Sequence, residues 1–127
     1  MKKNEIVVLS EEEIRSCVAL GAEALEEVAK GFTLLAQDKA TLPPILRIDI
    51  PEHHGEVDVK TAYLHGLDSF AIKIAAGFLD NHLLGLPTGS GMMVVVSAET
   101  GRPQAILLDN GYLTDVRTGI ALSLIHI

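Results

Sequence analysis

Arg47, Lys60 and Lys73 each fall on the charged side of an alternating run, opposite its aliphatic residues. If those runs are strands, three cations share one face of a sheet. Lys73 stands out because Ala71 and Ala75 flank it on that face. Small neighbours leave room beside an ammonium, as a pocket for an anionic ligand requires. The same pattern also describes a solvated sheet face, where charges are ordinary. A fourth cation, Arg117, follows Thr114-Asp115-Val116 and is expected in the first turn of a closing helix. A cation there opposes the helix dipole. It makes sense if it joins the free N–H groups of that turn in holding an anion, or if it is simply an exposed surface Arg. The chemistry on offer is capture of a carboxylate or phosphate.

Other motifs carry less. Gly89-Ser90-Gly91 contains a Gly-x-Gly, yet Met92-Met93-Val94 follows and reads as a strand, whereas a dinucleotide fingerprint opens a helix. No Walker-type Gly-Lys-Ser/Thr occurs, and a glycine-rich turn between strands fits the pattern better. The Thr88 hydroxyl beside it could still touch a ligand. Five histidines prompt a metal search, but His53 and His54 are adjacent while His65, His82 and His126 stand apart. No pair has helix-face spacing, so no metal site is expected.

The elements that would position these residues follow from periodicity. Ile6–Leu9 is a short β-branched run. Ser10 and Glu13 have the capping-box spacing for a helix bearing Ile14, Cys17 and Val18. After Gly21 a second helix shows Leu25, Val28, Phe32 and Leu35 at helical spacing, running on through Gly31. Leu42-Pro43-Pro44 forbids more helix. From Leu46 the period becomes two: Leu46–Ile50, Val57–Tyr63 and Phe70–Ala75 read as an antiparallel meander with one apolar face. Gly77–Gly91 reads as a loop. Met92–Ala98 and Gln104–Leu108 are apolar strands joined by a turn at Glu99-Thr100-Gly101-Arg102. Asp109-Asn110-Gly111 marks a turn, after which Thr114 is expected to cap a helix opening at Asp115. The fold class is α+β, two helices followed by a mainly antiparallel sheet.

Composition bounds the rest. In 127 residues, 17 acidic side chains outnumber 10 basic ones, for a charge of −7. That balance argues against nucleic acid as a partner, because phosphate neutralisation needs clustered Lys and Arg. A hydrophobic share of 48% and a mean hydropathy of +0.32 argue against disorder. No uninterrupted apolar run has the length of about 18 residues that a membrane span needs. Met1-Lys2-Lys3 precedes too short an apolar run for a secretory signal. A single Cys17 closes no internal disulfide. A soluble, cytoplasmic protein is the expectation.

The run from Pro43 to Thr118 resembles the ornithine cyclodeaminase/μ-crystallin family. The resemblance rests on Pro43-Pro44-Ile45-Leu46-Arg47, Phe70-Ala71-Ile72-Lys73, Gly85-Leu86-Pro87-Thr88 and Leu113-Thr114-Asp115-Val116-Arg117-Thr118. Asp49-Ile50-Pro51-Glu52-His53, Glu56–Tyr63 and Leu108–Leu113 look most like the ectoine-utilisation branch. The resemblance implies the N-terminal part of a substrate-binding and dimerisation domain, normally paired with a Rossmann domain that holds NAD. It implies a homodimeric enzyme that acts on an amino acid through an internal redox cycle. Hydride leaves the α-carbon for NAD⁺, the side-chain amine attacks the imine, ammonia departs and hydride returns. Arg47 then matches a substrate-carboxylate Arg, and Lys73 the catalytic Lys at the reacting centre. Thr88 matches a cofactor-contacting Thr, and Arg117 an Arg shared by cofactor phosphate and substrate carboxylate. Lys60 departs from the apolar Met of many relatives, which implies a more anionic or N-acylated diamino acid.

The same resemblance makes the Rossmann domain absent from this chain, which carries no dinucleotide fingerprint. Residues 1–121 are then the N-terminal portion of the substrate-binding domain. Residues 122–127, Leu122-Ser123-Leu124-Ile125-His126-Ile127, look like translated adapter sequence, a non-native tail on a truncated reading frame. The leading expectation is a fragment of an NAD-dependent cyclodeaminase acting on ornithine or an ectoine-derived diaminobutyrate. The alternatives are an amino-acid dehydrogenase or ketimine reductase of the same family, and a non-catalytic α+β dimerisation module.

Overall fold

Period-two alternation builds the strands of this protein, and left-handed turn residues end them. A computed structural model describes residues 5–19 and 21–125. Strands β3 (Leu46–Ile50), β4 (Gly55–Leu64), β5 (Ser69–Phe78), β6 (Gly89–Ser97) and β7 (Pro103–Leu108) pair antiparallel in succession. Strand β2 (Ala40–Thr41) also pairs with β4, beyond β3 along the same edge. Strand β1 (Val7–Ser10) joins the other edge parallel to β7, with Val8 opposite Ile106. The sheet is therefore mainly antiparallel, with one parallel pair formed by the two most distant strands. Between β3 and β4, His54 turns the chain at φ 48° after a short 3₁₀ segment, Pro51–His53. Between β6 and β7, the Ser97 hydroxyl accepts the Glu99 and Thr100 N–H groups at 3.2 Å each, and Gly101 takes φ 75°.

Helix α1 (Glu11–Cys17) opens on the capping box: Ser10 Oγ accepts the Glu13 N–H, and Glu13 Oε1 accepts the Ser10 N–H, both at 3.2 Å. Helix α2 (Ala22–Ala36) continues through Gly31. Helix α3 (Tyr112–Ile125) starts three residues earlier than its sequence suggests. Asp109, not Thr114, caps it: Oδ2 accepts the Leu113 N–H at 2.8 Å, and the Asp109 carbonyl accepts the Tyr112 N–H at 3.0 Å. Asn110 and Gly111, at φ 54° and 88°, fold the loop back so that Asp109 reaches this turn. Thr114 lies inside the helix, and Arg117 sits in its second turn rather than its first. The dipole reading of Arg117 is thereby withdrawn. Leu122–Ile125 belong to α3, whereas His126, Ile127 and the Met1–Lys3 start lie outside the described residues.

The Gly77–Gly91 segment is only partly a loop. Strand β5 runs to Phe78, a 3₁₀ segment spans Leu79–Leu84, and β6 begins at Gly89, opposite Gly77. Of the glycines there, Gly91 serves close packing. A Cβ on Gly91 would lie 2.7 Å from the Ile74 carbonyl oxygen and 3.7 Å from Gly111 Cα. The strand is bare so that the loop entering α3 can rest on it. Gly91→Ala is expected to cost about 2 kcal/mol, read as a lower urea midpoint with an unchanged slope.

The two sheet faces differ. One carries Arg47, Asp58, Lys60, Lys73 and Met93, and the helices pack on it, burying Ile14, Val116 and Ile120 to 7% exposure or less. The other carries Val8, Leu46, Ile48, Ile74, Val94 and Ile106. On it Val8, Leu46 and Ile48 remain 54–55% exposed. No helix among the described residues is long and apolar enough to cross a membrane.

Candidate functional site

The β4–β5 register sets Lys60 directly opposite Lys73, so both ammonium groups rise from neighbouring positions on the helix-covered face. Arg47 stands opposite Asp58, one row further along, and Ala75 completes that row beside Asp58. Lys73 is half-buried and forms no ion pair among the described residues. Burial pushes its ammonium below the usual lysine range, and the charges of Arg117 and Lys60 push it further. Asp109 and Asp58 pull the other way. Lys60, Asp58, Arg117 and Asp109 thus all act on one ammonium.

Arg47 is engaged differently. Its Nε lies 3.2 Å from Asp49 Oδ1 and 3.9 Å from Asp58 Oδ1, and its Nη2 meets Glu56 Oε2. Asp58 also faces Lys60, with Oδ2 3.9 Å from Nζ. Asp58 therefore bridges Arg47 to the lysine pair. Of Arg47, Lys73 and Arg117, the three cations that the resemblance assigns to the substrate, Lys73 and Arg117 come near each other, and Arg47 joins them through Asp58 rather than directly. A ligand carboxylate at Arg47 would have to compete with three acidic side chains.

Thr88 and Arg117, both expected at the cofactor, line different cavities. Thr88 shares a cavity of about 500 Å³ with Ala75, Gly111, Thr114 and Asp115. Arg117 borders an apolar one of about 610 Å³ with Met93, Leu113, Val116 and Ile120. The first turns of α3 contribute to both. Gly89 and Gly91 are paired in β6, so this segment is not an open phosphate-cradling loop. Around Thr88 the chain offers a hydroxyl and the α3 entry loop as lining of this cavity. No group of His, Cys, Asp or Glu among the described residues could hold a metal ion.

Two carboxylates of this site escape sequence reasoning. Asp58 is visible as a charged position two residues before Lys60, but only strand register shows it between Arg47 and Lys60. Asp109 reads as a turn residue before Asn-Gly, yet it is 1% exposed. The Oδ1 atoms of Asp58 and Asp109 are both buried without a hydrogen-bond partner among the described residues. Orphaned buried oxygens are uncommon in proteins and call for a reason.

Known proteins share this architecture. A Rhizobium meliloti protein provisionally named a dehydrogenase is 60% identical over 114 residues, covering 90% of this chain. An uncharacterised cyclodeaminase of Sinorhizobium fredii is 55% identical over 115 residues, again 90% of this chain. This chain spans 35% of the length of each. Among solved structures, an archaeal alanine dehydrogenase dimer with bound NAD superimposes with a TM-score of 0.81 at 31% identity, covering 91% of this chain and 34% of that one. The family pattern itself extends over residues 4–125, so the chain belongs to the ornithine cyclodeaminase/mu-crystallin family.

Proposed function

We propose that this chain is the substrate-gripping portion of an NAD-dependent enzyme working at the α-carbon of an amino acid. Its leading reaction is cyclodeamination of a diamino acid with release of ammonia. The observation that carries the reading is the half-buried Lys73, without an ion pair among the described residues, set near Arg117 and beside Asp58, whose Oδ1 accepts no hydrogen bond among those residues. Lys73 and Arg117 take the α-carboxylate, the Arg fork supplying two parallel N–H bonds and the Lys a point charge. Asp58 Oδ1 accepts from the distal ammonium, and Arg47 steadies Asp58. Thr88 contacts the cofactor, and Arg117 is shared between the cofactor phosphate and the substrate carboxylate. NAD would supply the hydride acceptor and donor for the α-carbon, and the residues of this chain hold the substrate in line for it. The enzyme works as a cytoplasmic homodimer, the second copy covering the apolar sheet face. The resemblance to the ectoine-utilisation branch makes an ectoine-derived diaminobutyrate the first substrate to try, and ornithine the second.

The test is to complete the chain with the NAD-binding portion of a close relative and assay both diamino acids. Ammonia release without net NADH is the expected result. NADH accumulation would indicate a dehydrogenase, and silence with every amino acid would leave a non-catalytic dimerisation module. The dehydrogenase or reductase reading has one observation in its favour: Lys60, opposite Lys73, repels a distal ammonium. Lys60→Met in the completed enzyme is expected to raise kcat/KM for ornithine about tenfold relative to an acidic or N-acylated amino acid. Equal effects on both substrates would remove Lys60 from substrate choice.

A further inference from the structure

Asp109 is 1% exposed, and its role as a helix cap explains only part of it. Capping α3 uses Oδ2, which accepts the Leu113 N–H at 2.8 Å, and the backbone carbonyl, which accepts the Tyr112 N–H. An Asn or Ser would supply such an oxygen without carrying a charge out of water. The second oxygen, Oδ1, is buried and has no hydrogen-bond partner among the described residues. A buried carboxylate with no matching charge is costly, so the charge itself needs a counterpart.

We propose that Asp109 is the positioning residue of this site: it is the fixed counter-charge of Lys73, and by capping α3 it sets Lys73 and Arg117 at one spacing. The charged groups facing Lys73 are Lys60 and Asp58 from β4, Arg117 from α3 and Asp109 from the loop before α3. Strand β6 presents only Met93 opposite it. Asp58 is already divided between Arg47 and Lys60. Asp109 is therefore the anion left to hold a proton on Lys73 Nζ against burial and two neighbouring cations. A neutral amine there would lose its grip on a carboxylate. The same side chain ties the sheet to the helix that carries Arg117. Tyr112, in that first helical turn, reaches the α1–α2 junction by donating its hydroxyl to the Val18 carbonyl at 2.5 Å.

The inference rests on the carboxylate-binding reading of Lys73 and Arg117, and the two are tested separately. In the whole 127-residue chain, without ligand, the titration of Lys73 is followed by NMR of lysine labelled with ¹³C at Cε, the signal being assigned with Lys73→Arg. Asp109→Asn keeps a capping oxygen and removes the charge. It should lower the Lys73 midpoint by about one pH unit while the melting temperature hardly moves. Asp109→Ala should lower both. An Asn variant that leaves the Lys73 midpoint in place makes Asp109 a cap and nothing more, and overturns the proposal. Lys73→Met reads the coupling from the other side without touching the cap, and decides the matter if the Asn variant by itself does not fold. In the Lys73→Met background Asp109→Asn should raise the melting temperature, because the charge it removes has lost its counterpart; an Asn substitution without effect in that background overturns the proposal. Adding diaminobutyrate to the wild-type chain then tests the underlying reading. An unmoved Lys73 signal sinks carboxylate binding and leaves the Asp109–Lys73 coupling standing.

Discussion

Lys73→Met in the completed enzyme is expected to reduce kcat/KM by about a thousandfold, with ammonia release as the readout. The size of the loss follows from the setting. Lys73 is half-buried and has no ion pair among the described residues, so a bound carboxylate would be its direct partner. Removing it strands both the ligand charge and the buried Asp109. The pH dependence follows from the direction of the Lys73 shift. Burial, Arg117 and Lys60 all hold its proton affinity below the ordinary lysine value. Carboxylate binding needs the protonated form, so substrate affinity is full below the Lys73 midpoint and falls as pH rises through it. That alkaline limb should lie below the ordinary lysine value of about 10.4 and vanish in Lys73→Met. An alkaline limb that persists in the variant would assign it to another group. A loss smaller than about tenfold would take Lys73 out of the substrate's reach.

Val94→Asp is expected to convert a dimer to a monomer, weakening association by about 3 kcal/mol or more, over a hundredfold. Val94 lies on β6, near the middle of the sheet, on the face that no helix covers. Around it run Ile74, Met92 and Ile106, and outward of these Val8, Leu46 and Ile48 are more than half exposed. A contiguous apolar sheet face of this kind is ordinarily an interface. An uncompensated carboxylate placed in it would have to be desolvated on association. Size-exclusion chromatography with light scattering reads the result directly. A sharp monomer peak for the unaltered chain at high concentration would sink the dimer before any variant is made.

How far the sequence discloses this arrangement depends on the distance over which each feature is decided. The β3, β4 and β5 segments are legible because apolar and charged residues alternate, and the Ser10–Glu13 cap because its partners lie three residues apart. The turn at Gly101 is legible for the same local reason. The start of α3 is not, since Asp109 and Thr114 are both cap-forming types. The left-handed turn at Asn110 and Gly111 brings Asp109 to Leu113 and decides between them. The strand at Gly89–Gly91 is hidden because glycines carry no alternation, and the purpose of Gly91 appears only where the α3 loop lies against it. For the site, the cations on one sheet face follow from a period of two. Their counter-charges do not, because Asp58 depends on register across β3 and β4, and Asp109 on where α3 docks.

The pairing of β1 with β7 has a consequence for synthesis. Val7 finds its partner at Ala105, almost the full chain away, so the edge of the sheet closes only after nearly everything between has been made. Contacts so far apart in sequence form late and slowly. During translation β1 must wait, its valines unpaired, until β7 has cleared the ribosome, while the β3–β6 meander can assemble from neighbours. The nascent chain is therefore most vulnerable to misassociation in that interval, and a chaperone that shields Val7 and Val8 would act there.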